Sequence, residues 1–256
     1  SNAIIERDLP NMIQGYPDHV AEYLNGGAIL NLNPYIEHSK YGLHGEDAFD
    51  DILEAYRLEN QQYLSGGTYY SLPFNKSTEV LIYNKDALAY AGITNEEDVP
   101  KTWQDWFAIA DKLIEFGESK NPDEKQLVKA GSYDSTGNGF ITLTRQFGGA
   151  YTRINPQSFR GEYLWSTNAN TFAAMQFMKD HRDVFTTPDF WDQDYSTTPF
   201  AEQKVAFAIS SSAGIRHNHN EIAGLPAADQ FEYGVTTVPY NKLQPENRAV
   251  IQQGTN

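Results

Sequence analysis

The sequence predicts an α/β fold on three observations. Helix-patterned and strand-patterned segments alternate along the chain, 256 residues at 40% apolar content suffice to bury a sizeable core, and no cysteine is present to staple a smaller one. At this length one large domain or two smaller lobes are both compatible with the chain. A formal net charge of −15, from 19 Lys+Arg against 34 Asp+Glu, repels phosphate backbones and argues against nucleic acid as a partner. Lack of cysteine also removes thiol nucleophiles and Cys-ligated zinc. No stretch reaches the roughly 18–20 uninterrupted apolar residues of a membrane helix, and the mean hydropathy is −0.57.

The elements follow in chain order. Ser1-Asn2-Ala3 reads as an expression scar before polar sequence, which places any signal peptide outside this chain. Phe49, Ile52, Leu53 and Tyr56 repeat at i, i+3, i+4, i+7 and predict a helix over 48–59. Tyr-, Val-, Leu- and Ile-rich runs predict strands over 68–74 and 78–83, joined by Asn75-Lys76-Ser77. Asn84-Lys85-Asp86 turns the chain into a short helix ended by Gly92. The clearest helix covers 102–116, with Trp103, Trp106, Phe107, Ala110, Leu113 and Ile114 on one face, Thr102 as cap and Gly117 as left-handed exit.

A polar stretch over 117–129 places a lobe boundary near Gly131, and 134–139 reads as a loop. Helices are predicted over 140–147, stopped by Gly148-Gly149, and over 170–182. A helical turn over 199–204 feeds the buried strand Val205-Ala206-Phe207-Ala208-Ile209. Small residues follow, Ser210 to Gly214, which let a ligand approach the backbone. A last strand over 233–238 stops at Pro239. This alternation implies mainly parallel sheets.

Searches for reaction chemistry return weak patterns. There is no G-x-x-x-x-G-K, and Gly137-Asn138-Gly139 lacks the third glycine of a dinucleotide loop. Asp134, Thr136, Asn138 and Gly139 imitate the start of a calcium loop, but Arg145 stands where a bidentate Glu is needed. His217 and His219 would lie on one side of an extended segment without a third ligand. Asp189, Asp192 and Asp194 cluster beside Trp191, with no motif to fix a hydrolytic pair. Ser212 imitates a nucleophile elbow but has Ser210 in place of its first glycine. No catalytic residue, metal or cofactor is therefore assigned. Sixteen Tyr and four Trp, with Asp, Asn and Ser, suit carbohydrate instead, because aromatic faces stack on sugar C–H patches while polar groups bind hydroxyls. Trp191, outside any periodic segment, is the best platform.

A series of motifs then assembles. Tyr16-Pro17-Asp18, the run from Gly27 to Ile36, Tyr70-Ser71-Leu72-Pro73-Phe74, Val80-Leu81-Ile82-Tyr83-Asn84-Lys85-Asp86 and Pro100-Lys101-Thr102-Trp103 resemble the extracellular solute-binding proteins of ABC sugar importers, the maltose-binding-protein-like family 1. Phe147-Gly148-Gly149, the run from Phe200 to Ile209 and that from Tyr233 to Pro239 extend the resemblance over nearly the whole chain. It implies two hinge-linked α/β lobes, as in periplasmic binding proteins, closing on a ligand in the cleft between them. The implied division is lobe 1 over 1–130, lobe 2 over 131–232, and a crossover strand over 233–256. Family members ordinarily carry a strand and helix before the Pro-Asp segment and helices after the glycine at 254. The first lobe is accordingly expected to be incomplete, the chain truncated at both ends.

The resemblance further implies a non-enzymatic, monomeric carrier that delivers a sugar to a membrane permease. It would stand at the outer membrane surface as a lipoprotein or free in a periplasm, and it would need no cofactor. Glu22, Tyr23, Asn75 and Ser77 would line the first lobe's side, Asp134, Asn138, Ser211 and Ser212 the second's, with Trp191 as platform. Ala213 stands where many relatives place an aromatic residue. Two other classes are kept beside this one: a serine hydrolase using Ser212, and a glycan-adhesion module without transport.

Overall fold

The computed structural model describes residues 2–6, 8–63, 66–155, 157–158 and 160–256, so Ser1 of the expected expression scar lies outside the described residues. In chain order the helices are α1 (Asn2–Glu6), α2 (Pro17–Asn25), α3 (Asn33–Ile36), α4 (Glu54–Glu59), α5 (Lys85–Tyr90), α6 (Trp103–Ala108), α7 (Ala110–Lys120), α8 (Thr136–Gln146), α9 (Ala169–Asp180), α10 (Thr197–Ala201) and α11 (Ile215–Gly224). The strands are β1 (Asn75–Asn84), β2 (Lys129–Tyr133), β3 (Thr152–Ile154), β4 (Gly161–Tyr163), β5 (Phe185–Thr186), β6 (Val205–Ser211), β7 (Tyr233–Thr236) and β8 (Gln252–Thr255). The chain forms two compact units, residues 1–76 with 253–256, and residues 77–252. It passes between them twice, within β1 and within β8. Gly131, where the change in composition suggests a lobe boundary, lies inside β2 and inside the second unit.

The second unit is built on a sheet of order β5-β2-β6-β1-β7. β2 runs parallel to β5 and β6, whereas β1 runs antiparallel to β6 and β7, so the sheet is mixed where a mainly parallel one was expected. The difference has a simple origin: β1 enters this unit from the other one, so no βαβ crossover fixes its direction. Alternation along β1 puts Leu81 and Tyr83 in the larger core with Trp103, Trp106, Leu113, Phe207 and Ile209, while Ile82 faces a second cluster with Phe200, Val205 and Ile222. Each such fully buried side chain contributes ~1.5–3 kcal/mol.

The predicted 102–116 helix is two helices. Thr102 caps α6 as expected, accepting from the Asp105 amide, but Ile109 leaves helical geometry and α7 starts afresh. Gly117 is buried inside α7 instead of ending it. A Cβ there would sit 2.6 Å from a Val128 methyl carbon, so this glycine serves close packing. The 134–139 stretch is also helical in part, because Ser135 caps α8 by accepting from the Asn138 amide.

The first unit has a thin core: Val20 is its fully buried apolar side chain among the described residues. Hydrogen bonds carry more of the order. Gly15 and Asn256 exchange backbone bonds at 3.1 and 2.8 Å, Phe74 donates to the Thr255 carbonyl at 3.0 Å, and the Tyr63 hydroxyl donates to the Pro17 carbonyl at 3.0 Å. Lys76, buried beside these strands, pairs with Glu59 at 2.5 Å and donates to Asn256 Oδ1 at 2.6 Å. Two expectations fail in this unit. Residues 68–74 form no strand, since the Tyr69 amide goes to the Asn33 side chain. The 48–59 helix is interrupted where Ile52 and Leu53 turn extended, leaving α4 and a 3-10 turn.

Candidate functional site

One edge of the second unit gathers most of the predicted residues. Here β1 begins, β2 and β6 end, and α8 and the Ser212–Gly214 turn start. The register of β1 and β6 sets Glu79 opposite Ser211. The Thr78 amide donates to Ser212 Oγ at 3.3 Å, and Ser211 Oγ accepts from the Ala213 amide at 3.3 Å. On the neighbouring strand the Tyr133 hydroxyl donates to Glu79 Oε2 at 2.5 Å, and Asn138 Nδ2 donates to Glu79 Oε1 at 2.9 Å. Asp134, the next residue after β2, accepts from the Ser196 amide at 2.8 Å, and the Ser196 hydroxyl donates to Ser132 Oγ at 2.8 Å. Asn138 and Ser211 thus meet at Glu79, Ser212 is bonded to Thr78 next to Ser77 in the chain, and Asp134 acts on Glu79 through its charge.

The electrostatics come from two carboxyls. Burial raises the pKa of Glu79 above the ordinary range, opposed by its hydrogen bonds from Tyr133 and Asn138 and reinforced by the Asp134 charge. Burial likewise raises Asp134, opposed by the Ser196 bonds. Desolvation and then the Glu79 charge push the Tyr133 phenol upward, so it stays a donor.

Other predicted residues belong to the first unit or are engaged in packing. Glu22 and Tyr23 lie on α2 of the first unit, Glu22 exposed and Tyr23 half-buried beside Gly15. Asn75 is exposed at the start of β1 in that same unit. Trp191 is engaged in packing: its indole donates to the Leu127 carbonyl at 2.7 Å and its ring lies against the Ile82–Phe200 cluster. His217 and His219 sit on α11, not on an extended segment, and two positions apart on a helix point in different directions. The hydroxyl of Ser212 is engaged with the Thr78 amide, and the sequence-level calcium pattern is a capped helix start. Among the described residues no group of three His, Cys, Asp or Glu is placed to hold a metal ion, and no helix is long and apolar enough to cross a membrane. A surface pocket of about 400 Å³ walled by Asn33, His44, Phe49 and Tyr69, and one of about 290 Å³ walled by His219, Ile222, Phe231 and Tyr233, contain none of the residues expected to bind a ligand.

Glu79, Tyr133 and Ser196 escaped the sequence reading. Glu79 had a usable signal: it shares parity with Leu81 and Tyr83, so an acid stands in phase with a buried face.

The model of bacterial extracellular solute-binding proteins matches residues 1–256. The chain belongs to that family. Among its curated relatives, the sn-glycerol-3-phosphate-binding periplasmic protein UgpB of Escherichia coli K12 is 31% identical over 201 residues, 72% of this chain and 39% of the relative. The chain therefore aligns with well under half of that relative's length. Among solved structures, UgpB from Mycobacterium tuberculosis in complex with glycerophosphocholine superposes with a TM-score of 0.72 at 17% identity, covering all of this chain and 58% of the other. The substrate-binding protein Lmo0181 from Listeria monocytogenes in complex with cycloalternan gives 0.70 at 20% identity, covering 94% and 55%. These likenesses establish the solute-binding-protein fold with its mixed α/β content, independently of the motif series.

Proposed function

We propose that this solute-binding protein captures a sugar or oligosaccharide outside the cell membrane and delivers it to an ABC permease, without catalysing a reaction. The observation that carries the reading is the polar edge of the second unit, where Ser211, Ser212, Asp134 and Asn138 converge at strand and helix ends. Hydroxyls, an amide and carboxyls are the groups that bind sugar hydroxyls, and a site built of them disfavours ligands that leave them unpaired. Glu22, Tyr23, Asn75 and Ser77 are proposed as further ligand contacts, and lobe closure as the capture step. The protein acts as a monomer, periplasmic or held at the membrane by a lipid anchor. Isothermal titration against monosaccharides and oligosaccharides tests this: saturable heat with at least one sugar is expected, and no heat with any would overturn it. Small-angle scattering that stays unchanged when sugar binds would favour a static glycan-binding module instead.

A further inference from the structure

Glu79 is 4% exposed, yet it ends a strand face otherwise made of Leu81 and Tyr83. A buried carboxylate is costly, and an apolar residue would fill this position more cheaply. Its donors Tyr133 and Asn138 are unequal in consequence. Tyr133 comes from the core side, while Asn138 stands half-exposed on the first turn of α8, beside the residues proposed to meet solute. An ionised carboxylate can only accept, so Asn138 must turn its NH2 group toward Glu79. The carbonyl Oδ1 of Asn138 makes no hydrogen bond among the described residues. That end of the amide is the one left for a ligand.

We propose that Glu79 is a positioning residue that fixes Asn138 as a hydrogen-bond acceptor, so that this side of the site selects solutes offering hydroxyl donors and rejects phosphorylated ones. The inference rests on the solute-capture reading above. It sets this chain apart from relatives named for sn-glycerol 3-phosphate. A phosphate ester carries about −1.5 to −2 charge at pH 7 and only acceptor oxygens when fully ionised, so it meets the wrong polarity at Asn138 and the like charge of Glu79 and Asp134. Asp134 in turn acts on Glu79 as a like charge.

The test combines a probe of the amide with a probe of selectivity. In the 15N-labelled protein, the Asn138 side-chain amide, assigned by its loss in Asn138→Asp, should give one downfield, slowly exchanging proton that Glu79→Gln shifts upfield. Titrations compare glucose, maltose and maltotriose with glucose 6-phosphate and sn-glycerol 3-phosphate. Wild type is expected to bind a neutral sugar and to discriminate against both phosphates, and Glu79→Gln to reduce that discrimination at least tenfold. The double variant Glu79→Gln/Asn138→Asp should restore it, because the amide introduced at position 79 then donates to the carboxylate introduced at position 138 and an acceptor again faces out. Equal weakening of neutral and phosphorylated probes by Glu79→Gln would mark a purely structural residue and overturn the inference. Wild type preferring a phosphate would overturn it while leaving solute capture standing, and needs no variant to fold. Binding of none of the five probes would overturn the sugar reading and this inference with it.

Discussion

Gly131 shows how much one residue can depend on its neighbour across a sheet. Its register partner is Phe207, and a Cβ at Gly131 would lie 2.2 Å from that ring. Gly131→Ala should therefore destabilise the protein by ~1–3 kcal/mol, the usual cost of overpacking a core, as read by a lower midpoint in urea. Gln146 makes a sharper case, because it is 1% exposed and satisfies three groups at once. It accepts from the Trp103 indole at 2.7 Å and donates to the carbonyls of Pro239 and Ala249 at 2.8 and 2.9 Å. Gln146→Ala strands all three, two of them buried, and with each unsatisfied buried group costing ~1–3 kcal/mol, loss of at least ~2 kcal/mol is expected by chemical denaturation. The sequence marked Trp103 as a core residue through its spacing, but nothing in it points to Gln146, whose partners lie 43, 93 and 103 positions away.

At the scale of elements, α8 joins the site to the core. Ser135 starts it by accepting the Asn138 amide at 3.2 Å, and its inner face buries Thr142, Leu143 and Gln146. Ser135→Ala removes the cap, for which ~1 kcal/mol is usual, equivalent at this chain length to a fall of roughly 2–4 °C in Tm. Because the same turn carries Asn138, sugar binding should weaken with it; an Ala variant that melts earlier but titrates unchanged would uncouple the cap from the site. Helix existence was legible here as the segment 140–147 stopped by Gly148-Gly149. Its start was not, because Asp134-Ser135-Thr136-Gly137-Asn138 carries turn chemistry and capping chemistry in the same residues.

For the whole molecule, the two units differ in how they are held. The second owns the large clusters around Trp106 and Phe207, whereas the first relies on backbone ladders and the half-buried Lys76–Glu59 pair. Amide exchange should accordingly be faster across α2 and α4 than in β1 residues 81–84 and β6, the pattern expected where few apolar contacts oppose local opening. Uniform protection would contradict the division. The site carboxyls add a pH dependence. Glu79 and Asp134 have folded-state pKa values raised above their ordinary 4.5 and 3.8, so the folded state binds more protons than the unfolded chain just above those values. Their contribution to stability is thus fully present at acid pH and lost as pH rises through the raised values. Urea midpoints measured upward from pH 4 should show that loss, smaller in Glu79→Gln than in wild type.

The sequence by itself determined the α/β class, the family, the cap at Thr102, the buried strand Val205-Ala206-Phe207-Ala208-Ile209 and the aromatic core around Trp103 and Trp106. These are properties of local patterning, which period and propensity encode directly. Tertiary structure alone decided that β1 runs antiparallel beside β6, that Gly117 and Gly131 make room for Val128 and Phe207, that Trp191 turns to the Leu127 carbonyl, and that Glu79 meets Asn138. Each of these depends on groups brought together from distant parts of the chain, and a one-dimensional pattern carries no record of which strand lies beside which.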